Sequence, residues 1–592
     1  MAVYEPVRIH WDVGVVRMLR ITAQNRDGRV LAGRQKPSRR TSEDGVRVRN
    51  TATDRSRLRF ARHADVHEGD PSGLVVVGPQ AVRAPRDLEL VDPAEVVRTA
   101  GADSPVLDAR PFERDVLVRH ELGCPSVSRA ECRCAGTRRL LPMATVPAER
   151  SAASTHAAKV EAVCAQVRDA AALQQRVHVH KGGVHHFVPQ PGDARFAGRG
   201  VDVSALDAVL DIDVDARTCT AEPGATFAEV VRGTLAHGLL PKVVPELEGI
   251  TLGGAVAGCS VESMSYRYGG FHDTCREYEV VTGTGARRVL GPADELFHMI
   301  HGSYGTLAIL TRLVFELVPA GPFVEMTYRH HRSFAAFEDD MRERCAAADF
   351  DFVDGIIHAP DHLVLCLGRF VDRASDVSSY RGTEIYYKST ATLTEDRLST
   401  FDYCFRYDTE CHWLSRTAPP LEWRAVRWLV GRWLLGSENL IRWSNRLGPL
   451  LARFTRRPDV VVDVFIPLRR FAEFWSWYER NLDYWPLWIV PYKVGDPYPW
   501  IAPGHARGLA GDLMIDCAVY GKRNNARRID WSQAIEDKTY ELGGIKTLIS
   551  RNHHTRERFW QIYNRERWEA AKRELDPDAL FSDLYDKFHR TD

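Results

Sequence analysis

No stretch of this 592-residue chain approaches the roughly 18 to 20 uninterrupted apolar residues that span a bilayer, and its first residues lack an apolar core followed by a cleavage site. A spanning helix and a secretory leader are therefore not expected, and the cytoplasm is the expected compartment. Net charge is absent too: 79 Lys and Arg balance 79 Asp and Glu, leaving no basic surplus for nucleic acid. The twelve cysteines are scattered rather than paired, as in a reducing compartment. Cys124, Cys132 and Cys134 with His120 form one local cluster, but no zinc-ligand spacing joins them, so no metal is expected. Residues 1–150 hold one lysine, Lys36, and one tryptophan, Trp11, and their short apolar runs develop no period of 2 or 3.6. They read as an unassigned Arg-rich extension, with partial disorder as one reading.

From Ala152 onward the pattern becomes legible. Val160, Val163, Cys164 and Val167 recur at helical spacing within Ala157 to Leu173. Arg176 to His180 reads as a strand ending in Lys181-Gly182-Gly183-Val184-His185-His186, a glycine turn that taken alone is only a turn, with a second flavin or phosphate loop as the other reading. Leu210, Ile212 and Val214 alternate with Asp211, Asp213 and Asp215, the period of a half-buried strand. Thr226 and Glu229 form a capping box ahead of Phe227, Val230, Val231 and Leu235. Arg276 to Leu290 reads as a hairpin about Thr284-Gly285, Asp294 to His301 as a helical turn, and Leu307 to Val318 as a strand. Strands, short helices and three glycine-bearing loops thus alternate over about 140 residues, an α+β pattern.

The stretch most suited to chemistry runs from Pro245 to Phe271. Gly253, Gly254 and Gly258 lack side chains and Ser260, Ser263 and Ser265 add hydroxyls, so a loop here can bring N–H groups close to an anion such as a pyrophosphate. An ordinary buried turn uses the same residues, and the flanks must decide.

Those flanks carry a resemblance. Pro245-Glu-Leu-Glu-Gly-Ile-Thr-Leu-Gly-Gly254, Gly258-Cys-Ser-Val-Glu-Ser263, Tyr268-Gly269 and Gly302-Ser-Tyr-Gly-Thr-Leu307 together resemble the delta24-sterol reductase (Diminuto) branch of flavoproteins with a PCMH-type FAD-binding domain, the vanillyl-alcohol oxidase and MurB-like fold. The resemblance implies a two-part PCMH-type FAD-binding domain over residues 151–320 and an α+β substrate or cap domain over 321–592 that ends in a flavoprotein segment. It places the cofactor against Thr251, Leu252, Gly253, Gly254, Ala255, Val256, Ala257, Gly258, Cys259, Ser260, Val261, Glu262 and Ser263, with Gly302, Gly305 and Thr306 closing from the other half. Where other members carry an Arg-Gly-Gly-His turn for a covalent flavin, this chain has Lys181-Gly-Gly-Val-His185-His186, so FAD is expected to be non-covalent. NADPH is the implied electron donor, and an alkene of a sterol or isoprenoid the implied substrate.

A reductase of this kind needs one proton donor near the reacting carbon. Tyr492, Lys493 and His554 are taken as the candidates, with Asp516, Tyr520, His553 and the Arg406-Tyr407-Asp408 group with His412 also open. Trp423, Val426, Val430, Trp433 and Leu434 share helical spacing with Arg424, Arg427, Arg432, Arg442 and Arg446 nearby. Packing on its own domain is the favoured reading of that segment, because the pattern does not stay strictly amphipathic; peripheral contact with a membrane that carries a lipid substrate is the other. Two further functions use the same domain: an FAD-dependent oxidase or dehydrogenase of an alcohol or sugar, and a non-catalytic flavin-fold binding protein. The sequence leaves the oligomeric state open.

Overall fold

Residues 155–589 are described by a computed structural model, apart from 184–193, 452–456, 458, 496–497, 510 and 512. The Arg-rich extension, its cysteine cluster and the pair His185 and His186 therefore lie outside the described residues.

The chain is α+β, as expected. Helix His156–Ala172 buries Val160, Val163, Cys164 and Val167 against strands Val177–His180 and Arg199–Asp202, a small parallel sheet. A second sheet runs in the order Val209–Asp213, Thr218–Ala221, Ile309–Pro319, Cys275–Val281, Arg287–Leu290, and Leu239–Pro241 pairs with Ile309–Pro319. Helix Phe227–Leu235 sits on it, opened by the expected capping box: Thr226 accepts from the Glu229 amide, and the Glu229 carboxylate accepts from the Thr226 amide at 3.0 Å. The alternation expected at 210–215 is displaced. A bulge between Val209 and Asp211 leaves Leu210 and Val214 exposed and turns Ile212 toward the core.

Beyond Pro319 an eight-stranded antiparallel sheet takes over. Its order is Glu395–Ser399, Phe323–His331, His362–Val371, Phe352–Ala359, Leu487–Lys493, Leu513–Lys522, Val460–Pro467, Ile545–Lys546. Its outer face packs under helices Phe334–Ala347, Phe471–Asn481 and Trp531–Glu541, and its inner face meets the glycine-rich segment. Helices Arg556–Ile562 and Arg565–Leu575 follow one another, divided where Asn564 caps the second.

The last fifty residues return to the first half. The Val177 amide donates to Leu580 O at 2.9 Å, and Gly283 donates to Leu575 O at 2.7 Å. Lys572 Nζ donates to Thr306 O at 2.7 Å and Lys587 Nζ to Tyr304 O at 2.6 Å. The C-terminal segment is thus a strap across the second glycine motif.

Candidate active site

The glycine-rich stretch is helical where a loop was expected. Leu252–Gly258 forms a short helix that ends at Cys259 in the left-handed region, and Ser265–Tyr268 forms another turn of helix. Gly253 is needed for packing: its amide donates to Pro223 O at 2.8 Å, and a Cβ there would lie 2.7 Å from Pro223 Cβ. Gly254 is the exposed residue of the helix. Beside it, Lys181 Nζ lies 3.4 Å from Thr251 Oγ1 with no carboxylate in ion-pair reach among the described residues, and burial pushes its pKa down to about 8. A desolvated lysine without an acidic partner, next to an open glycine, is the electrostatic complement of a phosphate.

The second motif locks onto the first. Gly302 N donates to Val256 O at 3.4 Å and Tyr304 N to Ala257 O at 3.2 Å. Gly302 adopts φ 64° and Gly305 φ 68°, conformations that glycine takes without strain. Thr306 closes its own turn by donating to Ser303 O.

Where these motifs meet the inner face of the large sheet there is a cleft with about 600 Å³ of empty space, part of it open to solvent. Gly258, Cys259, Gly302 and His272 form its floor; Tyr304, Tyr498, Trp500 and Tyr563 give an aromatic wall. Tyr498 and Trp500 stack with centroids 5.2 Å apart, and Trp500 and Tyr563 with centroids 6.2 Å apart. Both ring nitrogens of His272 and the indole N–H of Trp500 are buried without a hydrogen-bond partner. Burial lowers the His272 pKa and keeps the ring neutral. Flat aromatic walls, missing Cβ atoms and orphaned polar atoms in one cleft fit a planar heterocycle with polar edges.

Of the three proton-donor candidates, the structure brings one into this cleft. Tyr492 lines it, and its hydroxyl is paired with that of Tyr498, which in turn donates to Asp273 Oδ2 at 2.7 Å. Burial, with the Asp273 carboxylate adding to it, raises the Tyr492 pKa well above the usual phenol value. Lys493 does not join it: the strand's alternation turns it to the opposite face, and it is exposed. His554 stands behind the wall, with Nε2 3.4 Å from Glu536 Oε1 and its amide bonded to the same carboxylate, while Lys546 holds the other oxygen at 2.6 Å. His553 caps into the same carboxylate and bonds Ser532. Glu262 and Ser263, expected at the cofactor, are not among the residues that line this cleft. Glu262 pairs with Arg406 at 2.8 Å, Ser263 bonds Tyr403, and Arg406 also meets Asp354 at 3.2 Å, all in the interior. Asp408 ties down the Glu248 amide.

Sequence reasoning missed His272, Asp273, Tyr498 and Trp500, and met Lys181 only as the first residue of a turn open to a flavin or phosphate role. The aromatic run Tyr498-Pro499-Trp500 was the one available signal for the wall. His272, Asp273 and His301 bring ligand-type atoms within 4.8 Å of one another, the one such grouping among the described residues. Asp273 Oδ2 already accepts from Gly270 N at 2.7 Å as well as from Tyr498, and His301 Nε2 bonds the Tyr278 hydroxyl at 3.1 Å, so Asp273 and His301 belong to the hydrogen-bonded frame under the cleft.

Comparison with known proteins agrees with this geometry. Residues 152–291 match the FAD binding domain family. Delta(24)-sterol reductase of Homo sapiens is 24% identical over 409 residues, covering 66% of this chain and 77% of that protein. Delta(24)-sterol reductase of Arabidopsis thaliana is 24% identical over 434 residues, 65% of this chain and 76% of its own. Cytokinin dehydrogenase 7 of Oryza sativa subsp. japonica is 28% identical over a shorter span of 196 residues, 29% of this chain and 37% of its own. The chain is an FAD-dependent oxidoreductase with a PCMH-type FAD-binding domain, similar to the Delta(24)-sterol reductases over about two thirds of its length.

Proposed function

We propose that this protein reduces a carbon–carbon double bond in a sterol or isoprenoid lipid, with non-covalent FAD as its cofactor and NADPH as electron donor. The observation that carries the reading is the cleft itself, a largely apolar and aromatic chamber joining the two glycine motifs to the large sheet. Bound FAD supplies the hydride. Lys181 and Gly254 would hold its phosphates, while Gly258, Gly302, His272 and Trp500 would border its ring system. Tyr492 provides the proton: its raised pKa keeps the phenol protonated at neutral pH, and Tyr498 and Asp273 fix its hydroxyl in the cleft wall. Glu262 and Ser263 serve the frame. We assign the FAD-binding domain to 151–320 together with the returning segment 547–589, and the cap to the large sheet between them.

Anaerobic mixing with NADPH tests this directly. The flavin absorbance is expected to bleach and to recover on adding a sterol or isoprenoid alkene; recovery with oxygen alone, together with bleaching by alcohols or sugars, would replace the reductase with an oxidase.

Contact with a bilayer surface is part of the same proposal. In helix Arg424–Leu434 Arg427 turns inward, paired with Glu410 at 2.8 Å, whereas Trp428 is 79% and Trp433 69% exposed, flanked by exposed Trp423, Leu429 and Trp443. Indole rings with arginines beside them suit a headgroup region, and no described helix is long and apolar enough to cross a membrane. Trp428→Ser with Trp433→Ser should abolish co-sedimentation with anionic vesicles while leaving flavin content unchanged.

A further inference from the structure

The inner face of the large sheet carries a polar group at Asp463 that hydride and proton delivery do not use. Thr547, a residue of the cleft wall, donates its amide to Asp463 O at 2.9 Å and places its hydroxyl 3.4 Å from Asp463 Oδ2. The Tyr520 hydroxyl donates to the same carboxylate. One strand over, the pairing of Phe465 with Asp516 and of Asp463 with Ala518 sets Asp516 diagonally across from Asp463 on the same face. Asp516 is 2% exposed, and its Oδ1 has no partner. Glu246, from the loop before the glycine motif, closes the far side with His412, whose Nδ1 is also buried and without a partner.

Two features separate this group from a structural ion cluster such as Arg406 with Glu262 and Asp354. Arg406 and Asp354 are sealed, at 1% and 0% exposure. Asp463, Tyr520 and Thr547 are half-buried and keep part of their surface open, and Thr547 lines the cleft. Moreover, the wall residue Phe465 follows Asp463 by two positions on the same face, and Met514 precedes Asp516 by two. The apolar cleft therefore leads along one sheet face from Tyr492 past Phe465 and Met514 to a carboxylate that can only accept hydrogen bonds when ionised.

We propose that Asp463, Thr547 and Tyr520 form a subsite for the hydroxyl group of an otherwise apolar substrate, holding its alcohol end while the double bond lies at the Tyr492 end. A hydroxyl supplies the donor that a carboxylate needs and the acceptor that Thr547 or Tyr520 can serve, without bringing charge into an apolar chamber. Recognition of this kind discriminates strongly, because a ligand lacking the hydroxyl leaves buried polar atoms unpaired. The subsite rests on reading the cleft as an alkene-reducing site.

The test is equilibrium binding to the FAD-loaded protein, read as a perturbation of the flavin spectrum, with three side-chain-saturated sterols: the alcohol, its deoxy analogue and its amine. The alcohol should bind about tenfold or more tightly than the deoxy compound. Asp463→Asn and the isosteric Thr547→Val should each shrink that ratio several-fold and leave affinity for the deoxy compound unchanged; flavin content verifies that each variant is folded. Equal affinities, no binding of the alcohol, or tighter binding of the amine would overturn the subsite. Turnover of the corresponding alkenes is measured separately: an intact alcohol preference without reduction refutes the reductase and keeps the subsite, whereas equal reduction of alcohol and deoxy alkenes does the reverse.

Discussion

The two faces of the eight-stranded sheet are made by alternate residues of the same strands, and they have little in common. On the outer face Val462, Val464, Ile466, Ile489, Ile515, Cys517 and Val519 are each at most 2% exposed and pack under Phe471, Phe474, Tyr478 and Ile535. On the inner face the intervening positions hold Asp463, Phe465, Trp488, Tyr492, Met514, Asp516 and Tyr520. The outer face contributes hydrophobic burial at little polar cost. The inner face places carboxylates and phenols where burial penalises charge, which only specific partners or a ligand can offset. Stability and chemistry are thus divided by the period-2 geometry of a strand, and a one-residue register slip would exchange them.

The comparison can be broken from either side. The largest effect is expected at Arg406, the cation that neutralises Asp354 of the inner face and Glu262 of the glycine segment. Arg406→Leu leaves two buried carboxylates uncompensated and should cost about 3–5 kcal/mol in denaturant unfolding. A cost below about 1 kcal/mol would show that the inner-face charges are not what the fold depends on. Ile515→Ala on the outer face should cost about 2–4 kcal/mol by cavity formation, yet leave flavin absorbance and turnover per bound flavin as they were. A selective loss of turnover there would dissolve the distinction between the faces. Tyr492→Phe should do the opposite. Stability changes by less than about 1 kcal/mol, because only the hydroxyl is removed, while kcat falls by roughly a hundredfold and flavin reduction by NADPH is spared.

Much of this division was legible in the sequence, within limits set by range. The capping box at Thr226, the hairpin about Gly285 and the strand Ile309–Pro319 follow from local periods, and local periods survive folding. Gly253 and Gly254 stood out as a glycine pair, but the packing of Gly253 against Pro223 is a contact across 30 residues that no local rule encodes. Lys493 and His554 are residue types that can donate a proton, but the strand's alternation and the Glu536 cluster decide where they point. Tyr498, Asp273 and Trp500 became a site only through contacts of about 225 and 60 residues' separation, the range at which sequence patterns fall silent. The tryptophans of 423–443 illustrate the converse: their helical spacing was read correctly, and the side they face was set by the ion pair of Arg427 with Glu410.

The effect spread over pH is the most diagnostic for the inner face. Burial, with the neighbouring Glu246 adding to it, raises the Asp463 pKa to about 6, while His412, Tyr520 and Thr547 act the other way; Asp516, facing it across the strands, is raised well above the carboxylate range by burial and by Asp463 itself. A carboxyl whose folded pKa is raised binds its proton more tightly in the native state. Its contribution to stability is therefore complete below the unfolded value near 4 and is lost as pH rises through about 6. Wild-type stability should fall between pH 4 and pH 7 by on the order of 2–3 kcal/mol from this group, and Asp463→Asn should remove that part of the slope, making the variant relatively more stable at pH 7.5 than at pH 5. Urea midpoints for the two proteins across that range give the answer. Parallel curves would mean that Asp463 is solvated like a surface carboxylate, and the inner face would then differ from the outer one in shape alone.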